Sequence, residues 1–381
     1  MSSGDGVRDG DGVDGGDAAV RRGGDAPGAG NRDTPGAGDG ARQRPLSRPR
    51  MQDIADATGV TIKTVSRALS GAPHVRESTR ERVLAEAARL GFRRNDIAAG
   101  LRSAGQTMKT IGVVLGDLAN PFFPPMLRGI HQIAAEHGYL VISADAQGDS
   151  EVERESIQTI LAQRVAGLII SPTGTDFGYL ASEAEFGSAI VFIDSAPLGL
   201  TADAVTTTNT ASTRHAVAHL IGRGHRRIGY VGHPAQGYGA PKRWTGYCQA
   251  LRHAGITVDS DLVRRGLTTE AEAARAATEL LALPDPPTAL FADNNRMTVG
   301  ILQSPGYAAH NPEVVGFDHF DLAPELGISV VDSDPFRVGS AGAELLFRRL
   351  SDRDRPPTQT TVRARLIVHD QPTFSPLARR P

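Results

Sequence analysis

Residues 51–71 read MQDIADATGVTIKTVSRALSG, and this stretch decides how the first folded part of the chain is built. Three apolar side chains in its second half share one face of a helix: Val65, Ala68 and Leu69. Gly59 permits a sharp turn just before that helix, and Thr61 can cap the helix. The stretch therefore predicts two short helices joined by a tight turn.

A third helix is predicted over residues 78–92, STRERVLAEAARLGF, with Gly91 as its C-terminal stop. Three helices of this length can share only a very small core. The residues expected in that core are Ile54, Ala55, Val60, Val65, Leu69, Val83, Leu84 and Leu90. Helix–turn–helix units have this size.

The outward face of the second helix carries side chains that packing does not require. They are Ile62, Lys63, Ser66 and Arg67. In the major groove of DNA, lysine or arginine pairs with guanine acceptors, and an apolar side chain can contact the thymine methyl group. The spacing favours a DNA-reading helix, and the alternative is a small helical packing module with a charged face.

Charge is unevenly distributed along the 381 residues, although the net charge is only −2. Residues 46–105 carry eleven basic and six acidic side chains, a net charge of +5, whereas residues 1–45 carry −2 and the remainder −5. A basic segment attached to an acidic body is typical of a protein that binds a polyanion. Solvated arginines on a helix would give a similar pattern.

A short segment, NDIAAGLRS at Asn95–Ser103, joins the basic part to the rest of the chain. Fewer than three turns of helix are not stable alone in water, so we expect this segment to be helical only when docked. Beside a partner copy it can insert Leu101 as an apolar wedge into the minor groove. The alternative is a leucine that covers the surface of the following domain.

From Thr110 onward, apolar runs typical of strands alternate with amphipathic helical stretches. This alternation predicts parallel sheets covered by helices on both faces, and the length suits two Rossmann-like lobes. The expected strands are IGVVLG, YLVISAD, AGLIISP, AIVFID, AVTTTN, RIGYVG, TALFAD, EVVGFD and ISVVDSD. In such sheets ligands bind beyond the carboxyl ends of the strands.

Polar and aromatic side chains follow several of these strands. Three aspartates each end a strand and can accept hydrogen bonds from ligand hydroxyl groups, or cap the next helix: Asp194, Asp293 and Asp318. With them stand Phe122, Phe123, Arg243, Trp244 and Asn294. Together these residues predict a polar, aromatic-lined cleft for a sugar-sized ligand.

The sequence of the body shows no convincing catalytic set. It lacks the glycine spacing of a dinucleotide loop, a phosphate-binding P-loop, an HExxH motif and a Cys/His cluster. His225 is expected to be a turn residue before a strand. The chemistry is that of binding rather than bond breaking, so we expect no enzyme activity, no metal and no cofactor.

The order of these motifs resembles the LacI/GalR family of bacterial transcription regulators over about residues 51–370. The stretch at 51–71 is similar to the family's helix–turn–helix, and VRESTRERVLAEAARLGFRRNDIAAGLRS is similar to its third helix and hinge helix. TIGVVLGDLANPFF, GHRRIGYVG, ALFADNNRMTVG and VVGFD follow in the order found in its effector domain. That domain resembles periplasmic sugar-binding proteins.

The resemblance implies a homodimer that reads a palindromic operator in double-stranded DNA, with paired hinge helices opening the minor groove. It places Ile62 and Lys63 at positions that vary with the operator, and Ser66 and Arg67 at backbone- and base-contacting positions. Thr61, Ala98 and Leu101 complete the expected DNA-binding set, the last two in the minor groove.

For the effector domain, the resemblance implies a small-molecule effector, a sugar or a related polar metabolite. Phe122 and Phe123 match an aromatic wall, and Arg243 matches an arginine that holds effector hydroxyl or carboxylate groups. The other expected polar contacts are Asp194, Asn294 and Asp318.

Four positions depart from the family pattern. Arg94 replaces a proline before the hinge, and Arg76 replaces a common serine cap of the third helix. Thr208 stands at the position of a frequent effector-binding aspartate, and Pro305 is expected to end its helix early. Effector specificity is therefore expected to differ from that of a typical sugar-binding member.

The expected fold is a small all-α helix–turn–helix domain followed by a two-lobed α/β effector domain like that of periplasmic binding proteins. We predict a disordered tail over 1–45, the DNA-binding domain over 46–93 and a hinge over 94–106. The effector-binding and dimerisation domain is expected over 107–370, and a second tail over 371–381.

One cysteine, Cys248, excludes an internal disulfide, and no apolar run or basic start marks a membrane span or an export signal. We therefore expect a cytoplasmic, ligand-responsive transcriptional repressor with no membrane partner. The alternatives are a two-lobed solute-binding protein for sugar uptake and an enzyme on a Rossmann-like fold.

Overall fold

The computed structural model describes residues 49–73, 75–92, 109–235 and 238–369. The chain divides into two compact units, the first up to Arg94 and the second from Asn95 onward. The predicted tails and the predicted hinge, with Arg94, Ala98 and Leu101, lie outside the described residues.

The first unit contains helices α1 (Met51–Thr58), α2 (Ile62–Leu69) and α3 (Glu77–Arg89). Gly59 has a left-handed backbone (φ 67°), as the tight turn between α1 and α2 requires. Six side chains form the buried core: Ile54, Ala55, Val65, Ala68, Val83 and Ala87. The two short helices and the turn predicted from the sequence are therefore confirmed.

One predicted core residue of this unit is placed differently by the structure. Leu84 is 46% exposed, whereas its neighbour Val83 is fully buried. Successive residues of an α-helix are rotated by about 100°, so α3 can direct Val83 and Ala87 inward only by turning Leu84 outward. The prediction that Leu84 belongs to the core was wrong.

The first lobe of the second unit takes most of its elements from the earlier part of that unit. These are β1 (Thr110–Leu115), α4 (Phe123–Glu136), β2 (Leu140–Asp145), α5 (Ser150–Ala162), β3 (Gly167–Ile170), α6 (Ala181–Glu185), β4 (Ala189–Ile193) and β5 (Asp203–Thr207).

The second lobe follows directly. Its elements are α7 (Asn209–Gly222), β6 (Ile228–Val231), α8 (Gly239–His253), β7 (Val263–Arg264), α9 (Glu270–Leu281), β8 (Ala289–Ala292), α10 (Asn295–Gln303), α11 (Pro305–His310), β9 (Glu313–Phe317) and β10 (Ser329–Asp332). Pro305 is the first residue of α11, so α10 ends early, as predicted.

The last elements return to both lobes. Helix α12 (Pro335–Ser351) packs on α4, and β11 (Gln359–Val362) pairs with β5 in the first lobe, whereas β12 (Arg365–Ile367) pairs with β10 in the second. The two sheets have the strand orders β11-β5-β4-β3-β1-β2 and β12-β10-β9-β8-β6-β7. All strand pairs are parallel except β10–β12.

The nine predicted strands are all present, as β1–β6 and β8–β10. The sequence did not predict β7, β11 or β12. The chain crosses between the lobes after β5, after β10 and between β11 and β12. Among the residues described, no helix is both long enough and apolar enough to cross a membrane.

Candidate DNA-reading face and effector cleft

The outward face of α2 is built by the packing of its opposite face. Val65 and Ala68 are buried against α1 and α3, which leaves Thr61, Lys63 and Arg67 exposed, with Ile62 46% exposed. Ser66 is half-buried at the edge of this face. Thr61 Oγ1 accepts the Thr64 backbone N–H at 3.2 Å, which confirms Thr61 as the N-cap.

The two cations on this face are free for a partner. In the described part of the chain, neither Lys63 nor Arg67 makes an ion pair or a side-chain hydrogen bond. Arg89 of α3, in contrast, pairs with Glu86 at 2.6 Å. The face therefore combines one exposed aliphatic side chain with two unpaired cations, which suits base edges and phosphates.

The effector cleft lies where the carboxyl ends of the strands of both lobes meet. Asp194 follows β4 of the first lobe, and Asp318 follows β9 of the second. Both have left-handed backbones, with φ of 64° and 67°. Strained conformations of this kind cluster at ligand-binding sites because they direct side chains to positions that relaxed backbone does not reach.

Arg243 of α8 is 5% exposed and is held on several sides. Its Nε donates to Asn209 Oδ1 at 2.8 Å, and its Nη1 donates to the Asp293 carbonyl oxygen at 2.5 Å. Nη1 also lies 3.4 Å from Asp318 Oδ2, and the guanidinium carbon lies 3.8 Å from the centre of the Phe317 ring. No described residue accepts a hydrogen bond from Nη2, so Nη2 is the donor that remains for a ligand.

Asp293 is fully buried and organises this part of the cleft. Its carboxylate accepts hydrogen bonds from Tyr230 Oη at 3.1 Å and from His233 Nδ1 at 2.9 Å. Burial, reinforced by Asp293, raises the pKa of Tyr230 well above its usual range, so its hydroxyl stays a donor. The sequence singled out Asp293 but missed His233 and Asn209.

Two further carboxylates are electrostatically coupled across the cleft. Burial raises the pKa of Asp194 to about 6; Arg243 opposes the shift and Asp318 reinforces it. Burial also raises the pKa of Asp318, opposed by Arg243 and by the Ser333 hydroxyl, which donates to Asp318 Oδ1 at 2.7 Å. The cleft thus offers carboxylate acceptors beside one guanidinium donor, as a ligand rich in hydroxyl groups requires.

The remaining predicted effector residues have different structural surroundings. Phe122 is only 6% exposed and belongs to the core of the first lobe, whereas Phe123 is half-buried beside Gly116. Asn294 caps α10 by accepting the Met297 backbone N–H at 2.9 Å. Trp244 packs against Tyr230 and is half-buried. Ligand contact by these side chains remains a prediction.

Thr208, which replaces an aspartate in the family pattern, has a structural partner. Its Oγ1 accepts the Ala364 backbone N–H at 3.0 Å and lies 2.8 Å from Ser212 Oγ. Ser212 Oγ donates in turn to the Ala364 carbonyl oxygen at 3.0 Å. These hydrogen bonds tie the first interlobe crossing to the third, so the hydroxyl of Thr208 serves the connection between the lobes.

His225 lies in the turn before β6, as predicted, and it also has a partner there. Its Nε2 lies 2.9 Å from Glu313 Oε2, and Arg223 Nε pairs with the same carboxylate at 2.7 Å. Burial tends to raise the pKa of Glu313, but the hydrogen bonds from Arg223 and His225 outweigh it and lower the pKa. This cluster lies at the amino end of β9, opposite the cleft.

Comparison with known proteins agrees with both parts of the molecule. Residues 50–95 match the family described as bacterial regulatory proteins, lacI family, and residues 108–370 match periplasmic binding proteins and sugar binding domain of LacI family. The chain is 32% identical over 306 residues to the HTH-type transcriptional repressor CytR of Escherichia coli K12, a match that covers 79% of this chain and 89% of CytR.

Two solved structures extend the comparison. The transcriptional regulator CelR in complex with cellobiose is 26% identical, with a TM-score of 0.62, covering 85% of this chain and 100% of CelR. The lac repressor dimer bound to operator and the anti-inducer ONPF is similar in fold, with 23% identity, a TM-score of 0.75 and coverage of 85% and 99%.

The helix–turn–helix and the two-lobed cleft together define a ligand-responsive, DNA-binding transcriptional regulator, and the chain belongs to the LacI family. Its relatives are DNA-binding regulators rather than enzymes. A solute-binding role in uptake is not favoured, because residues 50–95 also match the DNA-binding part of the family.

Proposed function

We propose that this protein represses its target genes by reading a palindromic operator as a homodimer, with α2 in the major groove of each half-site. One observation carries the proposal: Lys63 and Arg67 are exposed, without an ion pair to any described residue, beside the exposed Ile62 on a helix whose other face is buried. A charged face that served only solubility would not need the isolated isoleucine.

The residues of this face take different roles in the proposal. Ile62 and Lys63 contact base edges and set the operator preference, whereas Ser66 and Arg67 contact the DNA backbone and bases. Thr61 holds the start of α2 and lies near the phosphates. Ala98 and Leu101, outside the described residues, are proposed to enter the minor groove from paired hinge helices.

A second copy has a suitable surface on the first lobe. Strand β2 is the edge of its sheet, and there Leu140 is 73% exposed and Ile142 is 40% exposed. An apolar edge strand is an aggregation hazard unless another surface covers it. We propose that this edge is part of the dimer interface, since a symmetric dimer matches a palindromic operator.

The effector proposed for the cleft is a sugar or a related polar metabolite. Arg243 Nη2 supplies donors, Asp194 and Asp318 supply acceptors, and Phe123 supplies an apolar ring face, while Asn294 has an amide group still free to donate. The cellobiose complex of CelR is a precedent for such a ligand in a related protein. We infer that the regulated genes serve carbohydrate or related metabolism.

The effector is proposed to act by favouring one arrangement of the lobes and thereby the spacing of the DNA-binding units. A shift in occupancy from almost none to almost complete needs about 5.5 kcal/mol of differential affinity. Because operator DNA lies in the cytoplasm of bacteria, we infer that the protein acts there, as a binding protein without catalytic activity.

Operator binding in the presence of candidate effectors tests this function. A DNA fragment selected by the protein from random sequence would be titrated with and without glucose, ribose, cellobiose and a wider set of polar metabolites. At least one compound should change operator affinity, and Arg243→Ala should abolish that change without altering affinity in its absence. Arg252→Ala, an exposed arginine on the same helix, is the control. An operator affinity that no compound changes would contradict the effector role.

A further inference from the structure

The loop after β1 is held rigid by its own side chains. Asp117 Oδ1 accepts the Ala119 backbone N–H at 2.9 Å, and Asn120 Oδ1 accepts the Phe122 backbone N–H at 3.0 Å. Asp145, at the end of β2, accepts the Leu118 backbone N–H at 3.0 Å. The first lobe therefore presents Asp117 and Asn120 on a preorganised rim of the cleft.

The start of α10 in the second lobe meets this rim directly. Asn295, which is 2% exposed, donates from Nδ2 to Asn120 Oδ1 at 2.7 Å. Its neighbour Arg296 donates from Nη2 to Asp117 Oδ2 at 2.5 Å. These two contacts join the lobes through protein atoms alone, and they involve none of the residues expected to touch an effector.

Arg296 also has a partner in its own lobe. Its Nε lies 3.4 Å from Glu270 Oε1, at the start of α9. If the lobes separate, Arg296 loses Asp117 but keeps Glu270, so its charge is never left without a carboxylate. Opening therefore costs one of the two ion pairs of Arg296 but avoids the larger cost of leaving a partly buried charge without a partner.

We propose that Asp117 and Asn120, together with Asn295 and Arg296, form a latch that favours the closed effector cleft, with Glu270 as the partner that Arg296 keeps when the cleft opens. The latch sets how much of the protein is already closed before effector arrives, and hence the effector concentration at which the regulator responds. Its effect on transcription rests on the proposed function, in which the lobe arrangement controls operator binding.

The ion pair of the latch is expected to shift the balance between closed and open protein by a moderate amount. The side chains of Arg296 and Asp117 are 28% and 23% exposed, so solvent screens the pair only in part. Removing one such ion pair should change the ratio of closed to open protein by about fivefold. The partly buried hydrogen bond between Asn120 and Asn295 would preserve part of the closed population.

The distance between the lobes in the effector-free, full-length protein tests the latch. Spin labels would be attached to cysteines introduced at Gln158 of α5 and Arg275 of α9, both exposed, after replacing Cys248 with alanine. Labelled chains would be diluted into excess unlabelled chains, so that double electron–electron resonance spectroscopy measures distances within one protomer.

Two variants should move this distance in opposite directions. Asp117→Asn keeps the oxygen that accepts the Ala119 N–H but removes the ion pair, so the ratio of open to closed protein should rise about fivefold. Glu270→Gln removes the carboxylate that Arg296 keeps when the lobes separate, so the open population should fall.

A distance distribution for Asp117→Asn equal to that of the wild type would overturn the latch, and so would an opening of equal size in Glu270→Gln. If the lobes open in Asp117→Asn while the response of operator binding to effector is unchanged, the latch stands and the proposed coupling to DNA fails. The unfolding temperatures of both variants would show whether the fold is intact.

Discussion

At the scale of single residues, Asp194 is the cleft carboxylate whose negative charge is least stabilised by hydrogen bonds. It has a left-handed backbone, and no described residue donates a hydrogen bond to it, whereas Asp318 receives one from Ser333. Burial raises the pKa of Asp194 to about 6. A ligand hydroxyl group that donates to Asp194 would remove an existing electrostatic cost.

Asp194→Asn should stabilise the effector-free protein in a pH-dependent way. Because the folded pKa is raised, the ionised carboxylate costs stability above pH 6, and this cost fades as pH falls toward the unfolded value near 4. In chemical denaturation, the variant should have a higher free energy of unfolding than the wild type. This difference should be about 1–2 kcal/mol larger at pH 7.5 than at pH 4.5. Asparagine tolerates the left-handed backbone, so strain does not confuse the comparison. A stability difference that is independent of pH would contradict the raised pKa.

Arg67 gives a residue-scale test of the DNA-reading face. Arg67→Ala should weaken binding by about 1–3 kcal/mol and relax the base preference at one position in each half-site, since it removes a donor to base edges. Arg82→Ala, an exposed arginine of α3, should have a smaller and sequence-independent effect in the same titration. If Arg67→Ala weakens binding to all sequences equally, Arg67 contacts phosphate instead.

The sequence predicted individual residues unevenly. Asp318 was predicted from its position at the end of a strand and Arg243 from the segment that follows a strand, and their side chains lie 3.4 Å apart. His233 and Asn209 were missed, because their roles depend on hydrogen bonds to Asp293 and Arg243, which are distant in the chain. Nothing in the spacing of the sequence marks such pairs, although His233 does follow a predicted strand.

At the scale of helices, neighbouring residues of α3 should respond very differently to the same substitution. Val83→Ala opens a cavity in the small core of the first unit and should cost about 2 kcal/mol. Leu84→Ala removes more atoms, but they are exposed, so it should change stability by less than about 0.5 kcal/mol. Thermal unfolding of both variants checks this, and an equal loss would place Leu84 in the core after all.

Close contact between α4 and α12 depends on glycine. A Cβ at Gly339 would meet the carbonyl oxygen of Met126, so Gly339→Ala must force the helices apart at a cost of about 1–3 kcal/mol. Gly222→Ala, at the end of α7, is the control, because no atom beyond its chain neighbours and the backbone of its own helix lies within 4 Å of the added Cβ. There the substitution should be neutral or stabilise by up to about 1 kcal/mol in denaturant titrations. A tolerated Gly339→Ala would contradict the close packing.

The sequence predicted elements best where burial is continuous. The first-lobe strands β1, β3 and β4 are buried at every residue and were visible as apolar runs. Strands β11 and β12 are short and half-exposed, and β11 is mostly polar, so no long apolar run marks them. They exist because they pair with β5 and β10, which is a tertiary cause.

At the scale of the whole molecule, the alternation of strands and helices predicted two lobes, but it did not predict which lobe the last helix and strands join. Helix α12 follows the strands of the second lobe yet packs on α4 of the first. The three interlobe crossings that result, two of them joined through Thr208 and Ala364, let the lobes move together or apart around a fixed connection.

Selection of binding sites from random double-stranded DNA, by the wild type and by Lys63→Ala, tests the central claim most directly. We predict that the wild type enriches a two-fold symmetric sequence, and that Lys63→Ala relaxes the preference at the same position of both half-sites while other positions are kept. Enrichment of no common sequence, or an unchanged preference in Lys63→Ala, would contradict the claim that α2 reads the operator through this face.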